Sequence, residues 1–223
     1  MGIVTRPPDP APRRMAESRL KMHLRLLRIG GATYRVVTLR PSTRVAFSTN
    51  FFHQTWHIVT GQQGARLLAR LFWGLAFQRQ PGTLVLVHGA HLLPTPFEAE
   101  RSDPFLIVPA GLTGIDRDAL RYLKNYLPHL GPPTTTIRWL TFGLDLALRQ
   151  DQEDSVELGR GENKHLWRQE RMSRLGGFIV YQAPPAILRW QALRLHGLQV
   201  RESDSIYAMD YHFLAESSSK DSW

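Results

Sequence analysis

Residues 58–87 read IVTGQQGARLLARLFWGLAFQRQPGTLVLV, and this stretch decides the fold class. Leu67, Leu68, Leu71, Phe72, Leu75 and Ala76 recur at intervals of three and four, the spacing of one helix face. Arg66 and Arg70 fall on the other side, so the spacing predicts a largely buried helix over 60–79. Pro81-Gly82 ends it, because proline supplies no amide hydrogen and glycine frees the backbone to turn. The run LVLV at 84–87 is apolar at every position, as in a strand covered on both faces. With the apolar pair Ile58-Val59 in front, the order is strand, glycine turn, helix, strand, which predicts an α/β layer architecture.

Working outward, the N-terminal side alternates. Leu20, Met22, Leu24 and Leu26 point one way and Lys21, His23 and Arg25 the other. Gly30-Gly31 then supplies a turn, and 34–39 returns as a second strand, giving an N-terminal β-hairpin with a basic outer face. A short third strand is expected over 44–48, and Phe51, Phe52 and Trp56 are expected in the core. On the C-terminal side, 105–108 reads as another central strand. Asp116 should cap a helix through Tyr126, with Leu120, Leu123 and Leu127 inward and Arg117, Arg121 and Lys124 outward. The stretch 135–142 is β-rich, 151–163 reads as an acidic loop, and a helix is expected over 164–175, stopped by Gly176-Gly177. A strand at 178–182, a helix opened by Pro184-Pro185 and running to His196, and an alternating edge strand over 205–214 follow. The expected fold is thus a single layered α/β domain over 16–215, with a mixed sheet and flanking helices. Residues 1–15, rich in Pro and Arg, read as a leader that Met15 could shorten, and 216–223 as a loose tail.

Composition narrows the chemistry. A chain of 223 residues needs no metal or disulfide to bury a core, and with no cysteine it has neither a thiol nucleophile nor a thiolate metal site. No apolar run reaches the ~18–20 residues of a membrane span, and no secretory signal opens the chain, so a cytoplasmic location is expected. The net charge is +9, and residues 1–40 hold nine basic side chains against Asp9 and Glu17, a balance of +7. Only four of the 28 basic residues are lysine, and the arginine fork bonds two phosphate oxygens at once, although codon bias alone also favours arginine.

Four constellations could carry chemistry. In the first, Thr60, Gly61 and Gly64 precede the long helix with Arg66 in its first turn, a strand–turn–helix arrangement that offers backbone amides to a phosphate. Gly61 would serve the tight turn, but the third glycine of the dinucleotide pattern and the Lys-Ser/Thr ending of a P-loop are both absent. In the second, His88 and His91 follow a buried strand, where α/β sheets bind ligands. The step His88-Gly89 is similar to the oxyanion-hole strand of α/β-hydrolases, yet no G-x-S-x-G elbow occurs. Third, His53 and His57 stand four apart, and Glu98, Glu100 or Asp103 could complete a mixed site with His88 and His91, but Gln54 stands where a zinc protease keeps its glutamate. No metal site is expected on this basis. Fourth, Lys21, His23, Arg25, Arg28 and Arg35 of the hairpin could hold phosphates, with His23 and Tyr34 stacking on bases, or could simply guard a sheet edge. Asp210 and His212 share a strand face as an acid–base pair without a nucleophile.

These readings support binding more than catalysis, and whether the protein is an enzyme stays open, as does any cofactor. The leading expectation is a small phosphate-bearing or other anionic ligand at the carboxyl ends of the strands. The alternatives are a module that binds nucleic acid or an acidic protein through residues 1–40, and an interaction protein with no ligand.

Overall fold

The computed structural model describes residues 19–52, 55–95, 100–153 and 164–198, together with His212 and Leu214. The strands are β1 (Arg19–Ile29), β2 (Ala32–Thr38), β3 (Phe47–Phe52), β4 (Thr55–Thr60), β5 (Thr83–Val87), β6 (Phe105–Pro109), β7 (Thr135–Leu140), β8 (Arg171–Leu175) and β9 (Phe178–Ala183). The helices are α1 (Gln62–Ala76), α2 (Arg117–Tyr126), α3 (Leu144–Glu153), α4 (Lys164–Trp167) and α5 (Pro185–Gly197). Seven strands form one mixed sheet in the order β7-β1-β2-β5-β6-β9-β8, and β3 and β4 form a separate two-stranded ribbon. The protein is therefore an α/β domain of the layered, mixed-sheet kind.

Each face of the sheet has its own core. On one, Met22, Leu24, Val37, Val85, Ile107, Ile179 and Tyr181 meet α1, α5 and Leu144 of α3. On the other, Ile29, Tyr34, Val36, Leu84, Leu86, Leu106, Val108 and Phe178 meet α2 through Ala119, Leu120 and Leu123, with Leu127 just beyond its end. The Asp116 carboxylate caps α2 by accepting from the Ala119 amide at 2.7 Å. Asp116→Ala should therefore lower the stability by about 1 kcal/mol, read as a shift in the urea midpoint. Gly30 and Gly31 adopt φ of 57° and 82° in the β1–β2 turn, a left-handed pair that other residues rarely supply.

Several expectations change. The segment 164–175 is helical only over α4, and Arg171–Leu175 is strand β8, paired antiparallel with β9. Gly176-Gly177, with φ of 58° and 83°, is the hairpin turn and not a helix stop. α3 covers 144–153, so the first three residues of the expected acidic loop are helix. The third strand starts at Phe47 rather than Arg44 and runs to Phe52. Phe51 is not core: it is 56 % exposed and packs only its ring against Trp56, with centroids 4.8 Å apart. β4, which carries Ile58-Val59, lies in the ribbon and not in the main sheet, and it is half-buried throughout where β5 is fully buried. The expected leader and tail, His53, Glu98, residues 154–163 and the strand over 205–214 apart from His212 and Leu214 lie outside the described residues. No helix among the described residues is long and apolar enough to cross a membrane.

Candidate functional site: a cationic sheet face

β7 and β1 pair antiparallel, with Lys21 opposite Arg138 and His23 opposite Thr136, and β1 continues to β2 with His23 opposite Thr38. Since side chains alternate along a strand, Lys21, His23 and Arg25 share the face on which α2 lies, as do Thr136, Arg138 and Leu140. α2 reaches only part of that face. Lys21, Thr136, Arg138 and Leu140 are exposed, and His23 and Arg25 are half-buried. Two cations directly opposite one another repel, so the Lys21–Arg138 pair adds to the positive potential of this face.

Arg25 anchors one side of this surface. Its Nη1 donates to Thr38 Oγ1 at 2.8 Å and its Nε to the Gly131 carbonyl at 3.1 Å, which fastens the segment after α2 onto the sheet. Burial lowers its pKa, and the neighbouring Tyr126 acts in the opposite direction. Tyr126 belongs to a tyrosine pair on the flank of α2, stacked on Tyr122 with centroids 6.2 Å apart and planes at 15°. Tyr122 is 53 % exposed. The histidines of the region stay neutral at neutral pH. Burial, with Arg25 and Arg40 nearby, lowers the pKa of His23, and burial, with Arg25 and His91, brings His88 down to about 4.

The two sets of expected residues are thereby rearranged. Lys21, His23 and Arg25 stay together, but Arg28 and Arg35 project from the opposite face, in register with Thr33 and Leu26. His88 stands at the carboxyl end of β5, close enough to Arg25 to feel its charge, so it joins the cationic face. His91 does not: it is buried, and its Nδ1 lies 3.2 Å from the Val45 carbonyl. Thr60 donates to the next carbonyl, that of Ala46, at 2.8 Å. Thr60 and His91 therefore border one segment, but their polar atoms hold that segment in place. A Cβ at Gly64 would collide with the Thr60 side chain, so this glycine makes room for a threonine and not for a ligand. Gly61 alone joins β4 to α1 as the helix N-cap, with an ordinary φ of −77° and open space around it, so this turn does not require a glycine. Arg66 is exposed and acts on His196 near the end of α5.

The remaining candidates serve other purposes. His57 lies in strand β4, where a spacing of four has no helical face to share. Among the described residues no three His, Asp or Glu side chains gather into a metal-binding group. His212 contacts the Gln191 side chain and packs against Trp190. Gln191 Nε2 and the Tyr181 hydroxyl both donate to Glu170 Oε1 at 2.6 Å, a buried network that joins α5 to β9. Burial and Glu170 raise the Tyr181 pKa well above its usual value.

Arg138, Arg40 and the tyrosine pair were missed in the sequence reading. One signal pointed to them. Residues 18–97 and 119–144 contain no Asp or Glu at all, and β1, β2, β5 and β7 lie wholly inside these two runs. β6, β8 and β9 carry no Asp or Glu either, so all seven strands of the sheet are built without a carboxylate. The class defined by fold and site is a layered α/β protein with one open, cationic sheet face. No family model, curated protein or solved structure matches the chain.

Proposed function

We propose that this protein binds single-stranded nucleic acid across the open face of β7, β1 and β2. The observation that carries the reading is a sheet face that bears Lys21, Arg138 and the nearby Arg40 with no carboxylate, beside a stacked tyrosine pair. Phosphates would lie along the three cations, and bases would stack on Tyr122 and Tyr126, since aromatic rings accept any base. The small-anion reading at 60–64 and 88–91 has less behind it, because Thr60 and His91 already hold carbonyls of the chain.

The test is fluorescence polarisation of a labelled oligonucleotide at increasing salt. Three phosphate contacts on a single strand give a slope of about −2 in log K against log salt. Lys21→Gln and Arg138→Gln should each reduce that slope by about 0.7. Tyr126→Ala should weaken binding by about 1–3 kcal/mol without changing the slope. Arg28→Gln and Arg35→Gln, on the far face, should leave both unchanged. Binding that ignores salt, or that weakens as much in Arg28→Gln as in Lys21→Gln, would sink the proposal. Retention of an acidic protein with no retention of the oligonucleotide would do the same.

A further inference from the structure

The two edges of the sheet are guarded unequally. β8 closes one with Arg171 and Arg174 among its five residues, and charged side chains of this kind deter a further strand. β7 closes the other with a single cation, Arg138, among its six residues, and among the described residues only β1 pairs with it. Thr134, Thr135 and Thr136 are all exposed, a run of β-branched residues suited to a paired strand. Leu140 and Phe142, at the far end, are 56 % and 66 % exposed.

Which backbone groups β7 turns outward follows from the β1–β2 hairpin. Ile29 and Ala32 flank the two-residue Gly30-Gly31 turn, so they exchange both hydrogen bonds, and every odd-numbered residue of β1 directs its backbone to β2. The even-numbered residues face β7, and the Leu26 amide accordingly donates to Thr134 Oγ1 at 3.2 Å. Leu20, Met22 and Leu24 lie opposite Trp139, Ile137 and Thr135, which therefore spend their backbone groups on β1. Thr136, Arg138 and Leu140, with Thr134 ahead of them, turn theirs to the outer side.

We infer that β7 is the contact between two copies of this chain, which pair antiparallel along it about a two-fold axis and join their sheets into one. A second copy fits because the edge is complementary to itself. The registers that engage at least three of the four outward residues are centred on Thr136, Ile137 or Arg138. With Arg138 at the axis, two guanidinium groups stand directly opposite and repel. With Thr136 at the axis, Leu140 faces Pro132, which has no amide hydrogen to give. With Ile137 at the axis, Arg138 meets the Thr136 hydroxyl, Leu140 meets Thr134, and all four outward residues gain a backbone partner. The two Arg138 side chains then lie diagonally, and salt weakens what repulsion remains. One short strand pair is a small interface, so association at about 10–100 μM is expected.

Sedimentation equilibrium of the full chain, without nucleic acid, at about 0.3 M salt and from about 1 to 300 μM protein, should show the mass rising from monomer to dimer. Thr136→Glu sets a carboxylate opposite Arg138 twice in each dimer and should tighten association by about two- to thirtyfold, and Thr136→Arg should weaken it by a similar factor. Both changes fall on an exposed side chain, so the fold survives them. Thr136→Pro removes an outward amide and should leave the chain monomeric. The two charge variants decide the matter even where the proline disturbs β7. Arg171→Gln, on the other edge, should change nothing. A chain that stays monomeric throughout would overturn the inference, as would a dimer that Thr136→Glu and Thr136→Arg shift in the same direction or not at all. So would slow deuterium exchange of the Thr136, Arg138 and Leu140 amides in dilute monomer, because the chain's own residues would then cover the edge. With no nucleic acid present, neither outcome touches the function proposed for the sheet face.

Discussion

Gly74→Ala is expected to destabilise the protein by roughly 3 kcal/mol, although alanine is the better helix former by about 1 kcal/mol. The sign is reversed by Trp139. A Cβ at position 74 would stand 2.6 Å from its Cδ1 and 2.7 Å from its Cε2, and closer still to Nε1. The indole is 2 % exposed, and its N–H donates to the Arg70 carbonyl at 3.2 Å. It has nowhere to retreat without losing that bond and the packing of β7 on α1. A fall in the urea midpoint at constant m-value would measure the loss. Trp139→Leu in the same background should recover part of it, because the smaller side chain makes room for the methyl group. A midpoint equal to that of the unaltered protein would show that β7 does not depend on this contact. The effect should extend to binding, since Arg138 precedes Trp139 in the same strand.

Acidification should destabilise the fold through His88. Its pKa is held at about 4 against an ordinary 6.5, first by burial and then by the charges of Arg25 and His91. Between those two pH values the unfolded chain takes up a proton that the folded chain refuses, so stability falls as pH falls from about 6.5 to about 4. The shift corresponds to about 2 kcal/mol after allowance for the partial exposure of the ring. His23 and His196 are lowered too and steepen the same slope. Urea titrations at pH 7.5, 5.5 and 4.5 on the protein and on His88→Gln, which cannot charge, would isolate the contribution. Parallel pH profiles for the two proteins would rule out the assignment. The same coupling predicts tighter oligonucleotide binding at pH 5.5 than at 7.5, because a bound phosphate favours the charged form of His23.

Local signals were legible where the chain alone decides the outcome. The apolar spacing of 62–76, the Asp116 cap and the Gly30-Gly31 turn were read directly, because each depends on residues a few positions apart. Gly176-Gly177 was ambiguous, since two glycines end a helix as readily as they turn a hairpin. Pairing of β8 with β9 resolves it, and that pairing depends on tertiary packing. The division of the basic hairpin was legible but unused. Arg25 and Arg28 are an odd number of residues apart, so a strand must place them on opposite faces. The partner of Lys21 was not legible, because nothing local joins β1 to a strand that starts at Thr135. Likewise the strand–turn–helix pattern at Thr60 was seen, but not that its strand belongs to a separate ribbon.

The pairing of β1 with β7 joins residues at least 111 positions apart in the chain. During synthesis at roughly 5–20 residues per second, the outer edge of β1 therefore waits about 5–20 s after leaving the ribosome for its neighbour to be made. A bare strand edge is a template for pairing with other nascent chains, and charged side chains are the usual defence. Lys21 and Arg25 stand on that strand from the first moment, with no carboxylate on β2 or β5 to neutralise them. Lys21, proposed to meet a nucleic-acid backbone, and Arg25, which anchors the segment after α2, would thus share an earlier task, which is to keep newborn copies apart until β7 arrives.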